Sequence, residues 1–128
     1  MIELILPWPP TVNSYYVKQR THVYISPKGK NFRDDVQQAI IQQIPDVALG
    51  DMRMLMEVVL FPPDKRKRDL DNHMKALLDA MTIAGVWEDD SQIDQLHIYR
   101  GEIVANGLAH ITIHEAGPII PKGARIPN

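Results

Sequence analysis

Three aspartates and a lysine are the residues of this chain whose types and spacing could do chemistry. Asp69 and Asp71 stand two apart around Leu70, Lys75 follows four residues after Asp71, and Asp90 lies in the run Trp87-Glu88-Asp89-Asp90. Extended backbone at 69–71 would turn both carboxylates the same way, so that they could share one cation. Phosphodiester hydrolysis needs a water activated by a divalent ion and a positive charge facing the phosphorus, and carboxylates with a nearby lysine provide both. The chain has no cysteine, so any metal is held by oxygen or imidazole, which points to Mg²⁺, with Mn²⁺ as a substitute, rather than to zinc. Asn72 offers a further carbonyl ligand or steadies the first helical turn.

Each of these residues also has a plainer use. Asp69 or Asp71 could cap the helix that follows, a role that contributes about 0.5–2 kcal/mol. Lys75 could form an i, i+4 pair with Asp71 at roughly 0.2–0.5 kcal/mol. Asp90 could belong to an acidic turn, and it reaches the other two only if the strand after it runs back along the strand ending at Phe61. Spacing alone leaves these alternatives open.

The formal charge is −2, which on average disfavours a nucleic-acid partner. The distribution says otherwise. Lys18, Arg20, Lys28, Lys30 and Arg33 fall in a stretch with no acid, and Lys65-Arg66-Lys67-Arg68 forms a second basic block. From Asp69 to Asp94 seven acids face the single Lys75. A negative pocket inside a positive rim suits a metal-dependent phosphodiesterase; an unevenly charged solvated surface is the alternative. The basic blocks suit phosphate contacts, which carry affinity but read no sequence. Asn13, Tyr15 and Tyr16, with Lys18 and Arg20, are further candidates for DNA contact, the tyrosines by stacking on exposed bases or else by covering core edges. His110 and His114 share the polar face of a strand and are not taken as ligands; His22, His73 and His97 receive no role.

The elements that must position these residues are legible from periodicity. Ile2 to Leu6 reads as a strand stopped by Pro7, Pro9 and Pro10. Thr11 to Ile25 reads as a long loop or irregular hairpin. Ser26-Pro27 predicts an N-cap and first helical residue, with a helix ending near Ile44 before Pro45. Met52 to Phe61, apolar and rich in β-branched residues, predicts a strand, although its three methionines would also suit a helix, and Pro62-Pro63 closes it either way. Leu70, Met74, Leu77, Leu78 and Met81 predict an amphipathic second helix stopped at Gly85. Gln92 to Ile103 and Leu108 to His114 predict two strands joined in an antiparallel hairpin through Asn106-Gly107. This gives a single α+β domain over 1–117, a mixed or antiparallel sheet with two helices packed on it, and a mobile tail over 118–128. No apolar run approaches the roughly 20 residues that span a bilayer, and Met1-Ile2-Glu3 lacks a secretory start, so a cytoplasmic protein with no membrane partner is expected.

Taken together, these residues resemble the RusA family of Holliday junction resolvases. Leu6-Pro7-Trp8-Pro9-Pro10, Asn13-Ser14-Tyr15-Tyr16, Thr21-His22-Val23, Gly29 and Phe32-Arg33-Asp34 are similar in order and spacing to its amino-terminal half. Pro63 to Asn72, followed by Lys75, Asp79-Ala80, Ala84-Gly85 and Trp87 to Asp90, resembles its catalytic half. The resemblance covers roughly residues 2 to 115. It implies that Asp69, Asp71 and Asp90 bind the catalytic metal, that Lys75 is the essential lysine, and that a homodimer binds four-way branched DNA. The implied reaction is paired symmetric nicking in recombination and repair, leaving 5′-phosphates, in a family that also occurs in prophages. A catalytically silent branched-DNA-binding or recombination accessory protein is the alternative. The basic block mixes lysine with arginine where an arginine-rich version is familiar, and guanidinium makes bidentate phosphate contacts that ammonium cannot.

Overall fold

The computed structural model describes residues 1–117, 123, 124 and 126. Most of the expected tail therefore lies outside the described residues. Strand β1 (Ile2–Pro7) leads through the proline turn to a one-turn helix α1 (Val12–Tyr15). The short hairpin β2 (Tyr16–Gln19) and β3 (His22–Ile25) follows, turning at Arg20 with φ 54°. Helix α2 (Pro27–Gln43) starts as its sequence dictates, with the Ser26 hydroxyl accepting from the Gly29 N–H at 2.9 Å and Pro27 in its first turn. Strand β4 (Met54–Phe61) is followed by the basic loop. The expected second helix is real but opens as a 3₁₀ turn over Leu70–His73 before α3 (Met74–Ile83). A second 3₁₀ turn, Asp90–Gln92, leads into β5 (Ile93–Arg100), and β6 (Leu108–Glu115) closes the domain.

The main sheet is mixed, in the order β1-β6-β4-β5. β4 pairs antiparallel with β6 and parallel with β5, so β5 and β6 are not the adjacent hairpin that Asn106-Gly107 suggested. The Asn-Gly turn does form, with φ 69° and 67° and the Gly107 N–H on the Val104 carbonyl at 2.7 Å. It closes a crossover rather than a hairpin. The chain leaving β5 is held over the end of β4 by Gly101 N–H to Leu60 O at 2.8 Å and Val104 N–H to Pro62 O at 3.0 Å. It then enters on the other side of β4. Gly101 permits the crossing, since a Cβ there would sit 2.6 Å from the Phe61 ring.

Alternation puts one face of the sheet in the core: Leu4 and Leu6, Met54, Met56, Val58 and Leu60, Ala109, Ile111 and Ile113 are all buried. Phe32, Val36 and Ile40 of α2 and Leu77, Ala80 and Met81 of α3 cover it. α2 and α3 are further joined by Arg33, whose guanidinium donates to Asp79 at 2.7 Å and to the Tyr15 hydroxyl at 2.6 Å, while that hydroxyl donates to Asp79. Among the described residues no helix lies on the opposite face of the sheet, and there His110 bonds Glu3 at 2.7 Å.

Candidate functional site: an acidic segment beside a basic cleft

The segment carrying Asp69 and Asp71 is fixed from both sides. His73 is 2 % exposed; its Nδ1 lies 2.8 Å from the Pro9 carbonyl, which can only accept, so the ring proton is there. The ring also lies against Trp8 at 4.6 Å between centroids. Burial pushes the His73 imidazole below its usual range, with the charges of Arg68 and Arg100 acting in the same sense and the Pro9 bond opposing, so it is neutral. Its buried Nε2 has no partner among the described residues. On the other side, Arg100 at the end of β5 donates to the Arg68 carbonyl at 3.0 Å.

Neither aspartate caps a helix. Asp69 precedes the 3₁₀ turn in extended conformation without a side-chain cap bond, Asp71 lies inside the turn, and α3 begins after His73 with no side-chain cap either. Lys75 is exposed and makes no ion pair with Asp71. Other acids do the structural work in this region. Asp64 accepts from the Arg66 N–H at 3.0 Å and pairs with Arg68 at 2.7 Å; the Arg66 backbone bond, then the Arg68 guanidinium, hold its carboxyl below the usual range. Asp79 holds Tyr15 and Arg33, Asp89 forms a capping box with Gln92, and Asp94 pairs with Arg53. The side chains of Asp69, Asp71 and Asp90 have no hydrogen bond or ion pair among the described residues. That is the donor set a hard cation needs: carboxylate oxygens not already spent on protein partners.

The three do not meet within one chain. β5 runs parallel to β4, so the condition for Asp90 to return toward Phe61 is not met. The turn of Glu88 to Gln92 is docked on the segment entering β4, through Glu88 N–H to Gly50 O and Gln92 Nε2 to Gly50 O and Met52 O. Asp69 instead follows the exit of β4, beside the far end of β5. The eight residues of β5 separate these two ends by about 23 Å at a rise of about 3.3 Å per residue. Among the described residues no three acidic, histidine or cysteine side chains are grouped to hold a metal.

Beside Asp69 opens a cleft of about 520 Å³ lined by Thr11, Lys67, Arg68, Asn72, His73 and Arg100. Of the basic block, Lys65 and Lys67 are exposed and have no ion pair among the described residues, whereas Arg66 and Arg68 are drawn to Asp64, with Arg68 also over the Trp8 ring at 5.6 Å. Asn13, Lys18 and Arg20 are exposed on α1 and the β2–β3 hairpin and do not line the cleft. Tyr15 is corrected from a DNA contact to a core residue. It is 0 % exposed, and burial first, then its bond to Asp79, raises its hydroxyl far above the ordinary tyrosine range. Tyr16 is half-buried with its ring edge-on to Tyr15. Arg100 was not visible to sequence reasoning: a lone arginine near the end of an alternating strand reads as an edge residue. The following Gly101, where the chain must cross Phe61, was the only signal of its position.

A small α+β domain with unspent aspartates beside a cationic cleft belongs to the class of proteins that can act on a phosphodiester backbone. The family model for endodeoxyribonuclease RusA matches residues 7–114, and the chain belongs to that family. It is 42% identical over 113 residues to the crossover junction endodeoxyribonuclease of Enterobacteria phage HK97, covering 88% of this chain and 93% of the relative. It is 38% identical to the protein of the same name from Shigella sonnei and 37% identical to that of Escherichia coli K12, each over 89% of this chain and 94% of the relative. Among the described residues no helix is long and apolar enough to cross a membrane.

Proposed function

We propose that this protein is a Holliday junction resolvase, a homodimeric, Mg²⁺-dependent endodeoxyribonuclease that makes paired nicks in four-way DNA junctions. The observation that carries the catalytic reading is the division of labour among the acids. Of the aspartates between residues 64 and 94, Asp64, Asp79, Asp89 and Asp94 are each spent on structure, while Asp69, Asp71 and Asp90 have no hydrogen bond or ion pair among the described residues. A bound divalent ion supplies an activated water and neutralises charge at the scissile phosphate. The chain supplies the rest. Asp69 at the cleft and Asp71 in the turn that follows are held in place by the Arg100 and His73 bonds. Lys75, exposed in the first turn of α3 and without an ion pair among the described residues, is the cation available to charge developing on the phosphate. Lys65 and Lys67 bind the DNA backbone.

Because Asp90 stays at the far end of the sheet, a second copy has to bring its Asp90 to the Asp69 and Asp71 of the first. A twofold pair completes two equal sites at once, which matches two symmetric nicks. Water attack at phosphorus with the 3′ oxygen as leaving group gives 5′-phosphate ends. Cleavage of an end-labelled synthetic four-way junction with and without Mg²⁺, with Mn²⁺ as a substitute and linear duplex as control, tests the reading. Metal-dependent paired nicks in the junction alone are expected. Tight junction binding without cutting under any divalent ion would leave a silent binding module instead.

A further inference from the structure

The cleft beside Asp69 has an uneven charge account. Lys67, Arg68 and Arg100 line it against the single carboxylate of Asp69, a local excess of positive charge in a chain whose formal charge is −2. The three cations are not equivalent. Arg68 is committed to Asp64 at 2.7 Å and to the face of Trp8. Lys67 has no acidic partner among the described residues, and neither has Arg100, whose one bond goes to the neutral Arg68 carbonyl. A guanidinium has five N–H donors, so Arg100 keeps several for a ligand. Its place at the end of an edge strand leaves it exposed.

The remaining lining selects the ligand. Thr11 and Asn72 offer small polar groups, and the nearby Trp8 ring is already occupied by His73 and Arg68, so no aromatic platform is open for a base. A volume of about 520 Å³ lies within the range of small-ligand sites. A site rich in donors, poor in stacking surface and adjoining the carboxylates suits a tetrahedral anion of the DNA backbone, which guanidinium can bind through two parallel bonds.

We propose that this cleft seats the backbone phosphate next to the one that is cut, with Arg100 as its principal anchor and Lys67 as the second cation. Arg100 is thereby a positioning residue, since the same side chain that grips the strand also holds the Arg68 carbonyl, immediately before Asp69. The inference rests on the functional reading above, and the test separates the two.

Binding of a four-way junction is measured in EDTA from 50 to 200 mM KCl for the full-length wild type, Arg100→Gln, Arg100→Lys and Lys67→Gln. Glutamine keeps a donor for the Arg68 carbonyl but removes the charge, so a merely structural Arg100 would leave the salt dependence alone. Loss of one phosphate contact lowers the slope of log K against log salt by about 0.9. That reduction is expected in R100Q and K67Q, with R100K close to wild type. The Lys67 side chain makes no hydrogen bond or ion pair among the described residues, so K67Q keeps the test open if R100Q does not fold. Unchanged slopes in the folded variants, with wild type binding and cutting junctions normally, overturn the phosphate seat alone. Wild type that neither binds nor cuts junctions overturns the functional reading. Inorganic phosphate at constant ionic strength is expected to compete no better than chloride; specific competition lost in R100Q would make this a free-phosphate site and overturn the assignment to DNA.

Discussion

Tyr15→Phe separates a core role from a DNA-binding role at a residue where sequence reasoning allowed both. The substitution keeps the ring and its packing, and removes one oxygen that donates to Asp79 and accepts from Arg33 Nε at 2.6 Å. Each hydrogen bond to a charged group contributes about 1.5–3 kcal/mol, so the simple sum would be large. Two features reduce it. The Arg33–Asp79 pair survives at 2.7 Å, and both side chains are 25% exposed, so water can reach the donor and acceptor left behind. A net loss of about 2 kcal/mol is expected, which for a chain of this length lowers Tm by about 6–10 °C. Thermal unfolding by circular dichroism reads this loss, and junction binding at a temperature where both proteins are folded should agree within about twofold. A tenfold weaker Kd at unchanged Tm would refute the reasoning, because a side chain with no exposed surface could not then be what binds.

Three other perturbations follow from the same geometry. Asp64→Asn releases Arg66 and Arg68 from their carboxylate, so junction binding should tighten and its salt slope steepen by up to about 1.8, some 0.9 for each arginine; a slope equal to wild type would show that these guanidiniums never reach phosphate. Because the neutral His73 of the folded state resists a proton that the unfolded chain accepts near pH 6.5, stability present above that pH is lost as pH falls toward the lowered folded value, by at most about 1.4 kcal/mol per unit. Urea unfolding in EDTA should show that slope in wild type and a flatter one in His73→Leu, and identical slopes would contradict the assignment. Gly29→Ala would place a Cβ 2.6 Å from the Tyr15 carbonyl and 2.7 Å from Ile25 Cγ2, so despite its better helix propensity it should cost about 1–3 kcal/mol; a stabilised variant in chemical denaturation would mean the contact relaxes freely.

What could be read ahead from the chain depended on how local its cause is. The Ser26-Pro27 start of α2 and the Gly85 stop after α3 were legible because caps and left-handed glycines act over a few residues. The apolar stripe of α3 was legible because burial on one face repeats along the chain, and β4 was legible from its apolar, β-branched content between turn residues. Asn106-Gly107 showed the limit. Its local turn formed as its dihedral preferences require, yet the partner of β6 was decided by β4, whose second edge was open between β1-β6 and β5. No local signal carries that choice. The site divides in the same way. Asp69 and Asp71 were visible as neighbours, whereas the separation of Asp90 followed from strand direction, and the burial of Tyr15 followed from where Arg33 and Asp79 stand, 18 and 64 residues away. Arg100 reached the cleft through the sheet register, which sequence spacing does not disclose.

The proposed carboxylate site takes Asp69 and Asp71 from one subunit and Asp90 from the other. Asp71→Asn and Asp90→Asn proteins, each shown to fold, dimerise and bind a four-way junction, are assayed alone and after mixing under conditions that exchange subunits, with Mg²⁺ present. Each variant alone should be inactive. The mixture should regain single nicks, because a heterodimer carries one intact site and one doubly substituted site. A mixture that exchanges subunits and still does not cut would contradict the shared site and place all three aspartates within one chain.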